Sequence, residues 1–384
     1  MEPLGKIKVM TIFGTRPEAI KMAPLILEMQ KNPQFECVIC CTGQHKEMLA
    51  QVLHTFQLEP DFNLQIMKQS QTLADISSAV IAGADKIIRH VQPDLVMVHG
   101  DTSTTLAGGL AAFYNKVPVA HIEAGLRSFD LYSPYPEEMN RVAVGRIASL
   151  HFAPTKSNRQ NLSREGITGG IYVTGNTVID ALHYMVREEY QFVSAALQKI
   201  DFSRGRWVLM TAHRRENLGE PMENICRAVR RAVEENPELH IVFPVHLNPA
   251  VRETVYSILG GHERISLTDP VDVQDMHNLI ARCHMVLTDS GGIQEEAPAL
   301  GKPVLVLRTE TERPEAVKAG TVKLVGVREA DIFENIQMLL HDEEAYHRMA
   351  HAANPYGDGR ASERIVQNVL YWAGRAENPV EFTL

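Results

Sequence analysis

The sequence predicts an α/β protein with two doubly wound parallel sheets, and three features carry that reading. Short apolar runs rich in Val and Ile recur, each followed by a Gly, Asp, Thr or His turn and then a helical pattern of roughly ten or more residues, the rhythm of βαβ units. The runs fall into two series on either side of residues 178–205. At 384 residues, with about 150 per domain as a guide, two medium domains suit the length better than one small module.

The first series is KVMTIFG (8–14), FECVICCTG (35–43), DLVMVHGD (94–101), VPVAHIEAG (117–125), HFAP (151–154) and YVTGN (172–176). The second is WVLMTAH (207–213), HIVFPVH (240–246), ISLTDP (265–270), MVLTDSGG (285–292), PVLVLR (303–308) and TVKLVG (321–326). Between them IDALHYMVREEYQFVSAALQKI reads as helix and ends in the turn-rich DFSRGR, where a crossing between domains fits. After the turn NPYGDG, ASERIVQNVLYWAGRA is an amphipathic helix. The expected division is 1–177, a crossing segment 178–205, 206–360, and a C-terminal segment 361–384. Ligands are expected at the carboxyl ends of the strands, in a crevice between two facing domains.

With 38 Lys and Arg against 47 Asp and Glu the formal charge is −9, while 45% of residues are apolar and 22% charged. These are values of a folded chain, not a disordered or collagenous one. The charge disfavours nucleic acid and anionic membranes as partners, so an anionic ligand needs cations concentrated in one place. No run approaches the roughly 18 apolar residues of a spanning helix, and the opening KIKVMTIFG is strand-like and runs into Arg16 and Glu18. A cytoplasmic protein without membrane insertion is expected. Cys37, Cys40 and Cys41 crowd FECVICC with no Cys/His pair at metal spacing nearby, so the five cysteines read as reduced, mostly buried thiols and no metal site is expected.

The functional argument lies at the strand ends. Asp101 follows LVMVHG and Glu123 follows VPVAHI, equivalent places in successive βα units. His213 follows WVLMTA, and Ser290, Gly291 and Gly292 follow MVLTD. If the domains face each other, all of these meet. Read singly, Asp101 ahead of TSTT suits a helix N-cap, His213 suits a hydrogen-bonded strand-end histidine, and HRREN suits a solvated loop. Glu123 resists a bland reading, because acidic residues are depleted in strands and this one ends a buried run.

SGGIQEEAPALG is more specific. Two glycines between a strand and a helix let the backbone approach a ligand, and the free amides of the first turn favour phosphate. Glu295 or Glu296, one turn in, suits a ribose, as acidic residues do in dinucleotide folds. Phosphate with ribose means a nucleotide. The chain has neither G-x-G-x-x-G nor a P-loop, which argues against nicotinamide and P-loop chemistry. Arg16 and Lys21 in GTRPEAIKMAP and Arg313 in TERPEAV are candidates for the local positive field, although each alone suits a charged surface.

GTRPEAIKMAP, HGDTSTT, HIEAGLRS, YPEEMNR, TAHRREN, PVHLNP, LTDSGGIQEEAP and TERPEAV, in this order from residue 14 to 317, resemble the non-hydrolysing UDP-N-acetylglucosamine 2-epimerases of bacteria. NPYGDG and the last helix also fit, so the likeness covers the whole chain. It implies a GT-B architecture: two Rossmann-like domains facing across a cleft, with the last helix packing back on the first. It implies interconversion of UDP-GlcNAc and UDP-ManNAc without a cofactor, a homodimer, and a place in cell-surface polysaccharide synthesis. On matching positions it makes Asp101, Glu123 and Glu137 the catalytic acids and bases, with His213 at the glycosidic phosphate. The nucleotide would be held by Arg16, Lys21, Ser290, Gly291, Gly292, Glu296 and Arg313, with Met276 at the uracil where relatives carry Phe. A second, regulatory UDP-GlcNAc site would correspond to Gln44, His45, Glu47, Ser70, Glu137, Arg214 and His246. Glu47 and Ser70 stand where regulated members carry Gln and Arg, and losing an arginine removes a charge-assisted fork for phosphate.

The implied chemistry explains the inventory. The C2 hydrogen of an N-acetylhexosamine is not next to a carbonyl, so it becomes acidic only as the anomeric C–O bond breaks. Two proton carriers serve the two faces of C2, and crowded acids are expected to raise at least one carboxyl pKa. Alternative readings are a hydrolysing epimerase, a GT-B glycosyltransferase and a two-lobed solute receptor.

Overall fold

A computed structural model of the chain describes residues 5–43, 46–68 and 70–384, with the backbone alone at 46–48. The chain forms two units, residues 1–184 with 356–383 and residues 185–355 with Leu384. The first holds strands β1 (Ile7–Phe13), β2 (Phe35–Cys41), β3 (Phe62–Asn63), β4 (Leu95–His99), β5 (Val119–Ile122), β6 (Leu150–Ala153) and β7 (Ile171–Val173). They make one sheet in the order β3-β2-β1-β4-β5-β6-β7, and every pairing is parallel. All five residues of β4 and all four of β5 are buried, which is why these strands read as unbroken apolar runs rather than alternating ones.

The second unit holds β8 (Arg206–Thr211), β9 (Leu239–Pro244), β10 (Ile265–Thr268), β11 (Met285–Thr288), β12 (Val304–Val306) and β13 (Val322–Leu324). Their order is β10-β9-β8-β11-β12-β13, again all parallel. The two topologies are equivalent: β1 and β8 each lie where the strand order reverses, beside β4 and β11. Such switch points open the carboxyl ends of the two neighbouring strands to ligand, and they are where the candidate residues stand.

Two details differ from expectation. The two-residue strand Phe62–Asn63, paired with Cys40 and Cys41, lies in a polar stretch too short to show alternation. The helix expected through residues 179–200 is only Thr177–Met185, followed by irregular chain and a single 3-10 turn at Leu197–Lys199. Here side chains take the backbone donors that a helix would use: Asp275 accepts from Val193 N at 2.9 Å, Ser194 N at 2.8 Å and Tyr190 Oη at 2.8 Å, and Asn278 accepts from Arg187 N at 2.9 Å. The units divide at 184/185, inside the segment 178–205 read as a crossing, and at 355/356. Buried Asp180 accepts from Ala361 N at 3.1 Å and Ser362 N at 2.7 Å, and Asn176 N donates to Tyr356 O at 2.6 Å. These bonds tie the return of the chain to the helix Thr177–Met185. The last helix, Ala361–Trp372, lies against Arg16–Lys31 in the first unit.

Among the described residues no helix is long and apolar enough to cross a membrane. Cys40, Cys41, Cys226 and Cys283 are buried free thiols, and Cys37 is half-buried. Burial pushes each of the five up to about 12, far from the thiolate range in which cysteine reacts.

Candidate active site

In the first unit a capping box organises the rim. Thr15 precedes the helix Arg16–Lys31, its hydroxyl accepts from Glu18 N, and Glu18 reaches back to Thr15 N at 2.8 Å and Gly14 N at 3.1 Å. The second oxygen of Glu18, buried at 2% exposure, accepts from Thr102 Oγ1 at 2.7 Å and Thr105 Oγ1 at 3.1 Å. One carboxylate thus ties the turn after β1 to the turn after β4. Gly14 is required there: a Cβ would sit 1.9 Å from Thr42 Oγ1.

Thr102, not Asp101, caps the following helix Ser103–Tyr114, accepting from Thr105 N at 3.1 Å. The bland reading of Asp101 therefore fails. Its backbone carbonyl accepts from Asn140 Nδ2 at 2.8 Å, and its carboxylate meets Arg141 at 3.0 Å. Burial pushes its pKa up to about 6 against the pull of Arg141, with the charges of Glu123 and Glu137 adding to the rise and Lys21 opposing it. The expected shift is present, but desolvation rather than crowding is its main cause.

Glu123, one residue past β5, adopts φ +62°, a left-handed conformation costly for a residue with a long side chain. Lys21 donates to its Oε2, and Asn176 Nδ2 donates to the same oxygen at 2.9 Å. His99 Nε2 lies 3.8 Å from it. Glu137 opens the helix Glu137–Ile147 and is half-buried. Asp101, Glu123 and Glu137 therefore share one rim, with Glu123 and Glu137 close enough for their charges to act on Asp101. Arg16, the first residue of its helix, makes no side-chain hydrogen bond or ion pair among the described residues.

In the second unit the aspartate after β11 is the organiser. Asp289 is fully buried and accepts from His213 N, Arg214 N and Asn217 Nδ2 at 2.8, 2.8 and 3.0 Å, while His213 Nδ1 stands 3.2 Å from its other oxygen. Burial alone would raise this carboxyl, yet the bonds from His213 and the two amides hold it below its ordinary value. His213 is thereby aimed outward, 42% of its side chain exposed, with His246 stacked on it at 5.7 Å.

Past Ser290, a Cβ on Gly291 would lie 3.8 Å from Arg313 and 4.0 Å from Arg214. Two guanidinium groups converge on a bare stretch of backbone. Arg313 also pairs with buried Glu295, so Glu295 serves that arginine. Glu296 lies beside Gly292 and meets His277 Nε2 at 3.2 Å. Met276 is half-buried on the helix Val273–Arg282.

Of the residues matched to a second site, Arg214 and His246 stand on this same rim. Ser70 is exposed with φ +57° in the first unit. Gln44 and His45 lie outside the described residues, as does the side chain of Glu47. Sequence reading passed over Glu18, His99, Arg141, Asn176 and Asp289. Thr15-x-x-Glu18 is a capping-box signature, and Asp289 stands in the strand-end turn LTDSGG; the other three have no local signal.

The chain matches the family model described as UDP-N-acetylglucosamine 2-epimerase over residues 27–370. It is 53% identical over 382 residues to the UDP-N-acetylglucosamine 2-epimerase of Bacillus subtilis, covering 99% of this chain and 100% of that one. The solved S. aureus MnaA-UDP co-structure superposes with a TM-score of 0.85 at 50% identity, covering 98% of this chain and 100% of that one. UDP-GlcNAc 2-epimerase from Neisseria meningitidis, solved bound to UDP-GlcNAc, gives 0.83 at 47% identity over 95% of this chain and 100% of that one. Two α/β units with equivalent parallel topology, acids at one switch point and converging arginines at the other, and likeness over the full length lead to one conclusion: this chain belongs to the UDP-N-acetylglucosamine 2-epimerases, a family of isomerases.

Proposed function

We propose that this protein interconverts UDP-GlcNAc and UDP-ManNAc without hydrolysis, by eliminating UDP and adding it back. The observation that carries this reading is the pair of carboxylates at the ends of adjacent strands, Asp101 after β4 and Glu123 after β5, in different environments: Asp101 half-buried and pushed up to about 6, Glu123 anchored by Lys21 and Asn176. Groups whose surroundings differ in this way suit acid and base roles on one substrate.

In the elimination, one carboxylate takes the C2 proton while the C1–O electron pair leaves with the β-phosphate of UDP, and C1=C2 of 2-acetamidoglucal forms. In the return, UDP re-forms the C1–O bond and a second carboxylic acid delivers a proton to the opposite face of C2. Asp101, Glu123 and Glu137 supply the carriers. His213, oriented by Asp289, attends the glycosidic phosphate. Arg16, Lys21 and Arg313 with the backbone of Ser290, Gly291 and Gly292 hold the diphosphate, Glu296 the ribose, and Met276 the uracil, where a thioether packs against the base. Positive groups set where charge grows in the transition state are the largest electrostatic aid such a site has. In this reading the protein works as a cytoplasmic homodimer and feeds cell-surface polysaccharide synthesis. The regulatory site is not assigned to it, because Ser70 offers no charge to a phosphate.

Incubation with UDP-GlcNAc in D2O, with no nicotinamide added, is expected to place deuterium at C2 of both UDP-sugars while free UDP stays at trace level. Recovery of UDP-ManNAc with its C2 protium intact would refute elimination. Stoichiometric UDP and free ManNAc would make the protein a hydrolysing epimerase, and untouched UDP-GlcNAc would favour a transferase awaiting an acceptor.

A further inference from the structure

One buried polar atom on the acid rim has no part in the chemistry above. His99 ends β4 at 3% exposure, and its Nε2 is buried without a hydrogen-bond partner. Orphaned buried nitrogens are uncommon and ask for a reason. The carboxylate oxygen that Nε2 approaches is Glu123 Oε2, at 3.8 Å. Lys21 Nζ and Asn176 Nδ2 donate to that same oxygen, so three nitrogens from three separate elements converge on Oε2. Oε1 lies on the Gly100 side, 3.9 Å from where a Cβ on that glycine would begin. A carboxylate oxygen held by several donors fixes the rotation of its group.

We propose that His99 is a positioning residue for Glu123, its Nε2–H closing onto Oε2 when substrate occupies the rim and fixing the rotation that turns Oε1 toward the C2 hydrogen. The assignment rests on Glu123 being a proton-transfer group. At 3.8 Å the bond is not yet made, and sites of this kind tighten on the substrate complex. Burial pushes the imidazole down to about 4, so at neutral pH the ring carries one proton. The Nε2–H tautomer puts that proton against an acceptor, whereas the other tautomer would set a lone pair against a carboxylate. Because His99 is buried and acts through Glu123, its loss acts on turnover rather than on nucleotide affinity.

His99→Phe keeps the ring and removes the donor; His99→Gln places an amide nitrogen near the position of Nε2; His99→Asn is too short to reach it. The full-length protein is assayed for epimerisation in both directions, with melting temperature as a fold check. His99→Phe is expected to lower kcat about tenfold or more with KM changed less than about twofold, and His99→Gln to restore most of the loss. A His99→Phe enzyme that melts normally and turns over at the parent rate overturns the proposal. If the Phe variant does not fold, His99→Gln and His99→Asn decide: a faster Gln variant supports the role, and equal rates overturn it. Glu123→Gln separates the two readings. Full activity in that variant removes Glu123 from catalysis, whereas an inactive Glu123→Gln beside a fully active His99→Phe removes only the positioning role.

Discussion

Asp101 and Asp289 occupy equivalent places in the two sheets, each just past the strand that neighbours the order reversal, yet their surroundings drive them in opposite directions. Asp289 is fully buried but receives two backbone amides and an amide side chain beside His213, and is held below its ordinary pKa. Asp101 keeps 28% of its side chain exposed, has Arg141 as its close cation, and is pushed up to about 6. Burial pushes both carboxyls upward. The supply of donors decides the outcome: with several, a buried aspartate becomes scaffold, and with few it can carry a proton near neutrality.

The strongest way to break this comparison is to neutralise both. Asp101→Asn is expected to fold, to bind UDP, and to lose C2 exchange by a factor of about 10²–10⁴, the usual reach of a general acid or base; deuterium incorporation reads it. Asp289→Ala is expected to lower unfolding stability by about 3 kcal/mol, because it leaves buried donors without an acceptor; denaturant melts read it. If Asp101→Asn unfolds and Asp289→Ala only slows catalysis, the roles are reversed.

The pH dependence sharpens the same contrast. A carboxyl raised in the folded state loses its proton first in the unfolded chain, so Asp101 costs the fold stability as pH climbs from about 4 through 6. Relative to the parent protein, Asp101→Asn should gain up to about 3 kcal/mol across that window and stay level above it. Asp289 works the other way: its contribution is present above the ordinary aspartate range and fades as the solution is acidified through its lowered value. Unfolding measured at pH 4, 6 and 8 separates the two. A smaller effect belongs to Gly291→Ala. A Cβ there makes ordinary contacts at 3.8–4.0 Å, so stability should hold while UDP binds about tenfold more weakly from lost backbone approach, as calorimetry would show. Smallest is Met276→Phe, expected to tighten UDP by about two- to fivefold through a broader stacking face.

Legibility follows the range of the interactions. The six strands of the second unit and six of the seven in the first are marked in the sequence because parallel strands buried on both faces need unbroken apolar runs. The turns after β1, β4 and β11 are legible through their Gly, Thr and Asp residues, and that after β8 through His213 and the charged run HRREN. Asn176 and Arg141 are not: Asn176 lies 53 positions from the carboxylate it serves, and Arg141 stands some forty residues beyond Asp101. The stretch 186–196 is misread for the same reason, since the donors of Val193 and Ser194 go to Asp275, some eighty positions on.

The succession of strands and helices along the chain, the placing of acids and glycines at strand ends, and the membership that these motifs announce were determined by the sequence alone, because they rest on local periodicity and on residue types at fixed offsets. Which aspartate is scaffold and which is poised to move a proton was decided only in three dimensions. Desolvation and donor supply depend on groups brought from distant parts of the chain to one strand end, and no neighbour in sequence records them.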